Sequence, residues 1–203
     1  MSARFARTAA AAAPEADRVR LGLSLREHRK ARRLTLKGLS ARSGVALSTL
    51  SKMELGQISV SYEKLAAAAR ALSLDVGQLL DARAAAPADA QAPSVVWSSA
   101  DTTPTYSSGS YGYRMLATDF RAKRMTPLHA RIVARERDQF PDFIRHPGQE
   151  FVMVLSGRVR IQFETGETIE VGRHESAYFD SGIGHIYLSL GRTDAQVLVV
   201  MSE

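Results

Sequence analysis

The side chains able to do chemistry in this 203-residue sequence are its cations, its five histidines and its tyrosines; it has no cysteine. Without thiols there is no disulfide framework, no thiolate zinc site and no cysteine nucleophile, which suits a reducing compartment. The cations are unevenly placed. Residues 1–85 carry 15 Lys/Arg against 7 Asp/Glu, a balance of +8, and residues 86–203 carry 12 against 14, a balance of −2. A positive field confined to one half directs that half towards a polyanion such as nucleic acid. The alternative is a basic surface that serves solubility alone. The longest unbroken apolar run, 197–201, is five residues, against about 20 needed to cross a bilayer, so no membrane partner is expected.

These groups are carried by two unlike modules. Residues 1–17 are Ala-rich and basic and read as a disordered tail in which Arg4 and Arg7 add phosphate affinity. Residues 18–81 show almost no strand character. Five short helices can be drawn, over 19–33, 36–43, 47–55, 62–72 and 76–80, with Leu21 and Leu25 on the inner face of the first. Thr35 is placed to cap the second helix, and Gly44 to stop it with a positive φ. Gly56 ends the third helix and Ser61 caps the fourth. Residues 82–104 are rich in Ala, Pro and polar residues and read as a linker, with Pro87 and Pro93 blocking a continuous helix. From 105 to 203 the period changes to two, as in Arg158-Val159-Arg160-Ile161-Gln162-Phe163-Glu164, and glycines recur at turn spacing. The expected fold class is an all-α five-helix bundle followed by an all-β barrel.

Two short helices joined by a Gly-containing turn form a helix-turn-helix pattern. The string Leu34-Thr35-Leu36, Leu39-Ser40, Ser43-Gly44-Val45 and Leu50-Ser51-Lys52-Met53-Glu54-Leu55-Gly56 resembles the lambda-repressor-like, or xenobiotic-response-element, DNA-binding family over residues 20–80. The resemblance implies that the third helix lies in the major groove. Leu47, Ser48, Ser51 and Lys52 are its outward residues; Lys52 can donate to guanine, and the hydroxyls can serve base or phosphate. Thr35 and Lys37 open the second helix against phosphate, and Gln57 and Ser59 follow the third. Leu50 and Met53 point inward. Arg26, Arg29, Lys30, Arg32, Arg33 and Arg42 divide between phosphate contact and a solvated face. Three residues depart from the family: Leu36 replaces a frequent glutamine, Leu47 a polar base reader, and Val60 a proline. Leu47 then falls to a thymine methyl.

A second resemblance follows the linker. His146-Pro147-Gly148-Gln149-Glu150 leads into Phe151-Val152-Met153-Val154-Leu155-Ser156-Gly157; a later run from Gly172 ends in Ala177-Tyr178-Phe179-Asp180-Ser181-Gly182-Ile183-Gly184-His185. In order and spacing these resemble the two motifs of the cupin family, small jelly-roll barrels. The resemblance implies metal ligands: His146 and Glu150 from the first motif and His185 from the second. Residues four apart on an extended chain share parity, so His146 and Glu150 can both face the lumen. Two histidines and a carboxylate suit Fe(II), and the same set holds Zn, Mn or Ni. One divalent metal is therefore the expected cofactor. Ile144 stands in place of the usual first histidine, Gly184 in place of a proline and Ser189 in place of an asparagine. In the metal-free alternative the three ligands hydrogen-bond an organic effector or one another. Tyr113, Arg131, Tyr178 and Tyr187 are candidate effector-pocket residues. His129 and His174 read as a structural and an exposed histidine, and His28 as a core-edge or phosphate contact.

An N-terminal helix-turn-helix before a cupin is the build of bacterial cupin-sensor transcriptional regulators. The resemblance implies sequence-specific binding to a double-stranded DNA operator, a small-molecule effector in the cupin, and a homodimer. It also implies a cytoplasmic, nucleoid-associated location and no catalytic residue. Mononuclear non-haem iron oxygenases and epoxidases join the same two modules. For them His146, Glu150 and His185 would leave positions open for O₂ and substrate, with Tyr111 or Tyr113 near the metal. A cationic third helix has no use in such an enzyme.

Overall fold

The computed structural model describes residues 15–80, 93–120 and 123–202. The expected tail up to residue 14 and the linker over 82–92, with Arg4, Arg7 and Pro87, lie outside the described residues, as does residue 81.

Five helices form the first module: α1 (Glu15–Ala31), α2 (Leu36–Ser43), α3 (Leu47–Glu54), α4 (Tyr62–Ala71) and α5 (Val76–Leu80). Helix α1 begins inside the segment read as tail, with Glu15 and Asp17 in its first turn and His28, Arg29 and Lys30 in its last. Both ends complement the helix dipole. It stops two residues before the expected end, because Arg33 takes a left-handed φ of 54°. No glycine or proline marks that stop in the sequence. Helix α2 is capped by Thr35, whose hydroxyl accepts from the Gly38 amide (3.0 Å), and it ends on left-handed Gly44. Helix α4 starts after Ser61 as expected, but without a side-chain cap bond. Leu25, Leu39, Leu50, Leu65, Leu72 and Leu79 are fully buried between the helices.

Arg29 is not on a solvated or phosphate-binding face. It donates from Nε and Nη2 to the two oxygens of Glu54 (2.6 and 2.8 Å) and from Nη1 to the Leu34 carbonyl (2.7 Å). Both side chains are buried. The pair ties α1 to the end of α3 and to the chain entering α2. Arg26, Lys30, Arg32, Arg33 and Arg42 are exposed.

The second module contains β1 (Thr105–Ser107), β2 (Tyr111–Met115), β3 (Met125–Ile132), β4 (Gln149–Ser156), β5 (Arg158–Phe163), β6 (Thr168–Gly172), β7 (Ser176–Asp180), β8 (His185–Leu190) and β9 (Ala195–Ser202). One antiparallel sheet runs β1-β2-β3-β9-β4-β7 and the other β6-β5-β8. This two-sheet sandwich is a jelly roll. Alternation is strict on β5, where Val159, Ile161 and Phe163 are buried between Arg158, Arg160 and Gln162. Directly opposed residues share a face. The register therefore sets Phe163 beside His185, Ile161 beside Tyr187, Tyr113 beside Ala130, and Glu150 between Met201 and Phe179.

The helical module is seated on this barrel. The Tyr106 hydroxyl bonds both backbone groups of Val60, accepting from its amide at 3.0 Å and donating to its carbonyl. The rings of Tyr62 and Tyr113 lie 5.1 Å apart. Lys123 Nζ pairs with Asp75 Oδ2 at 3.0 Å.

Removing one partner of a buried ion pair leaves an unpaired charge in the core, at a cost of about 3–5 kcal/mol. Glu54→Ala is expected to lose that much stability in urea unfolding. Arg29→Met with Glu54→Leu is expected to lose much less. Equal losses would show that the pair is not what joins α1 to α3.

Candidate functional site

The three cupin histidine and carboxylate residues meet in one corner of the lumen. His146 Nε2 lies 2.8 Å from Glu150 Oε2, and His185 Nε2 lies 3.6 Å from the same oxygen. One ligand atom from each of the three falls within 4.8 Å of the others. Two different local structures deliver them. Glu150 and His185 stand on β4 and β8. His146 does not reach the site by strand parity, since it precedes β4 on irregular chain. Gly148, with φ of +90°, makes the break, and a Cβ there would fall 2.2 Å from the Ser202 carbonyl oxygen. The His146 amide donates to the Ser181 carbonyl (3.0 Å), which anchors the loop.

Burial pushes the Glu150 carboxyl up. Hydrogen bonds and charge from His146 and His185 win against it and hold the group at about 2. Burial also lowers His185, but the carboxylate beside it outweighs this and raises it overall. The Tyr187 hydroxyl donates to Glu150 Oε1, so the second carboxylate oxygen is occupied. His185 Nδ1 donates to the Ile183 carbonyl (2.9 Å). That bond fixes the ring and turns Nε2 to the cavity, the usual arrangement behind a ligating histidine.

The corner fits a divalent metal. Ligands held about 2.0–2.2 Å from one ion lie about 3–3.5 Å from each other, and the separations of 2.8 and 3.6 Å bracket that spacing. Two neutral imidazoles and a carboxylate suit Fe, Zn, Mn or Ni. Ile144, at the place of a fourth ligand, lines the same cavity with an apolar side chain and bridges to His185 through backbone bonds of 2.9 and 3.1 Å.

The cavity has about 30 Å³ of free space, enough for about two waters. Tyr111, Tyr113 and Tyr187 line it with Leu128, Ala130, Ile132 and Val199. The expected pocket residues divide. Tyr113 and Tyr187 line the lumen, whereas Arg131 and Tyr178 do not. Arg131 lies between lumen-facing Ala130 and Ile132, points the other way, and meets Asp194 at 3.9 Å. Tyr178 is 65% exposed and donates to Gln149 on the sheet's outer side. His129 alternates with Leu128 and Ala130 and also faces out; burial first, then Arg114, lowers its basicity. His174 is exposed in a turn. His28 is half-buried, and its basicity is lowered by burial and then by Arg32.

Two lining residues had no sequence signal: Tyr62 and Glu63, from the first turn of α4. They belong to the helical module and reach the lumen because that module is docked on the barrel mouth. Tyr111 is different, since its parity with Tyr113 on one strand is readable in the sequence.

The residues expected to meet DNA lie on α2 and α3 or beside their ends. Thr35, Lys37, Leu47, Ser48, Lys52 and Gln57 are exposed and Ser51 is half-buried, with the barrel in place. Leu50 and Met53 are buried as expected. Thr35 already accepts from Gly38, which leaves its hydroxyl proton for a phosphate.

The departures at Gly184 and Ser189 have local causes. The Gly184 amide donates to Glu164 (2.6 Å), which also binds Arg145, and a proline has no such proton. A Cβ on Gly184 would lie 2.8 Å from that of Phe143. Ser189 is buried, and its hydroxyl accepts from the Ala195 amide at 2.9 Å. Gly184→Ala is therefore expected to lower stability by about 1–3 kcal/mol, measured by thermal unfolding. An unchanged melting temperature would show that the loop gives way freely.

Comparison with known proteins agrees with this architecture. A helix-turn-helix domain family matches residues 20–82 and a cupin domain family matches residues 133–201. No curated protein matches the chain at a significant level. Among solved structures, an HTH_3 family transcriptional regulator from Vibrio cholerae is similar over 93% of this chain and 98% of its own. Its TM-score is 0.61 and its identity 16%. Hydroxypropylphosphonic acid epoxidase from S. wedmorenis aligns over 93% of this chain and 100% of its own, with a TM-score of 0.47 and 19% identity. An N-terminal segment that matches a helix-turn-helix domain family is thus followed in this chain by a C-terminal segment that matches a cupin domain family.

Proposed function

We propose that this protein binds DNA sequence-specifically and regulates transcription in response to an effector in the cupin lumen, where His146, Glu150 and His185 hold a divalent metal. The observation that supports this reading best is the division of α3. Leu50, Met53 and Glu54 are committed to the core, while Leu47, Ser48 and Lys52 stay exposed although the barrel is docked.

On this reading α3 enters the major groove. Lys52 donates to guanine, and Ser48 and Ser51 contact base edges or phosphate. Leu47, 47% exposed, meets a thymine methyl. Thr35, Lys37 and Gln57 bind phosphate and fix the register. Two chains related by a two-fold axis would present two such helices about 34 Å apart. The setting is cytoplasmic; among the described residues no helix is long and apolar enough to cross a membrane.

In the barrel, Tyr113 and Tyr187 face the effector, and Tyr187 holds Glu150 in place. A bound metal would supply Lewis acidity and a point of attachment for the effector. An effector can shift DNA affinity only by binding the two states of the protein unequally. The cavity of about 30 Å³ is far below the several hundred Å³ of an ordinary ligand pocket. A metabolite must therefore displace part of the wall, which includes Tyr62 and Glu63.

Fluorescence anisotropy with the DNA upstream of the protein's own coding region tests the reading. Preference over competitor DNA is expected. Lys52→Ala is expected to lose about 1–3 kcal/mol at the preferred site only. Lys37→Ala is expected to weaken all sequences alike and to reduce the salt slope by about 0.9. Absence of any sequence preference at modest salt would overturn it. Metal analysis is expected to give one divalent metal ion per chain, lost in His185→Ala; equal loading of both would remove the metal from the site. Stoichiometric iron with substrate-dependent O₂ uptake would instead favour an oxygenase.

A further inference from the structure

Glu63 is a carboxylate of the DNA-binding module placed in the cavity of the other domain. It lines the lumen with His146, Glu150 and His185. It also lines a second crevice at the domain seam, which His146 reaches too. The positive charges nearest to it are those His146 and His185 can carry, which favour its ionised form. Burial raises its carboxyl above the usual range. The rest of the lumen lining is tyrosine and aliphatic, with no lysine or arginine. Two carboxylates and two imidazoles thus face one small space that no lysine or arginine enters.

That charge pattern matches a divalent cation. The metal corner itself supplies one negative charge, from Glu150. Glu63 supplies the second, which makes the loaded cavity neutral, and burial of a net charge is what a low-dielectric lumen opposes. Free space for about two waters leaves room for an ion and its remaining water but not for a metabolite beside them.

We infer that Glu63 is the helical module's half of the cation site: it faces the metal-bound water, and occupancy of the lumen holds the first turn of α4 against the barrel. The inference rests on the reading of His146, Glu150 and His185 as a metal site, and extends it to a residue outside the cupin. A path back to the DNA-reading helix is present. Tyr187 bonds Glu150, and the Tyr111 hydroxyl bonds the backbone of Tyr187 (2.7 and 3.2 Å). The Tyr111 and Tyr113 rings lie 5.9 Å apart, and Tyr113 packs on Tyr62 and on Tyr106, which grips Val60 between α3 and α4. The cation would therefore act at both ends of this stack, on Glu150 and on the turn that carries Tyr62 and Glu63.

The test uses the full chain and Zn²⁺ alone, with calorimetric titration of wild type, Glu63→Gln, His185→Ala and Glu170→Gln. Helix content and melting temperature check that each variant is folded. Glu63→Gln is isosteric and is expected to weaken Zn²⁺ about tenfold. His185→Ala is expected to abolish binding, and Glu170→Gln, on the outer strand β6, to match wild type. In parallel, Zn²⁺ is expected to change the DNA Kd of wild type at least about fivefold, with that change largely lost in Glu63→Gln. Equal Zn²⁺ affinities for wild type and a folded Glu63→Gln overturn the inference and leave the regulator reading standing if DNA is still bound specifically. Weakened Zn²⁺ binding without specific DNA binding upholds the shared site and removes the regulator.

Discussion

A carboxylate cannot stay charged inside a β-barrel unless the barrel supplies partners. Glu150 is 3% exposed, and much of the cupin module is arranged around that constraint. His146 and His185 approach one oxygen, and Tyr187 donates to the other. Each partner is itself held: His185 by the Ile183 carbonyl, His146 by its anchored loop, and Tyr187 by its neighbour Tyr111. The result is a corner where two imidazole Nε2 atoms and one carboxylate oxygen converge. Histidines that stabilise a carboxylate in this geometry are also placed to share a cation with it.

The same corner faces the helical module. Val60, Tyr62, Glu63 and Asp75 all contact or face the barrel, and they lie on α4 or beside its ends. Helix α3, which precedes this segment, is tied on its other side to α1 through Arg29 and Glu54. Helix α3 is thus held between a buried ion pair and a docking surface that borders the cavity. A change in the cavity has a short physical route to it. The route consists of packed tyrosine rings and hydrogen bonds, which shift between discrete arrangements rather than stretch.

Much of this was legible from residue types and spacing. Thr35 and Gly44 delimit α2, and the alternation over 158–163 is a strand with its apolar face inward. The string through Glu54-x-Gly56 and the two histidine-bearing motifs place both domains. Three things were not legible. Arg29 looks like its basic neighbours, and only tertiary packing sets it against Glu54. His146 follows a glycine break rather than strand parity, and Arg131 and Tyr178 fall on the outer side because parity was not fixed until the register was known. Glu63 reads as a favourable residue in a helix's first turn, and no local pattern tells that another domain closes over it.

The measurement that bears most directly on the coupling between the cavity and α3 is amide hydrogen exchange of the intact chain with and without Zn²⁺. If the lumen and the helical module share one site, Zn²⁺ will slow exchange in the first turn of α4 and in the Gln57–Ser61 connection, as well as in the strands bearing Glu150 and His185. Protection confined to the strands, with α3 and α4 exchanging as before, would contradict it.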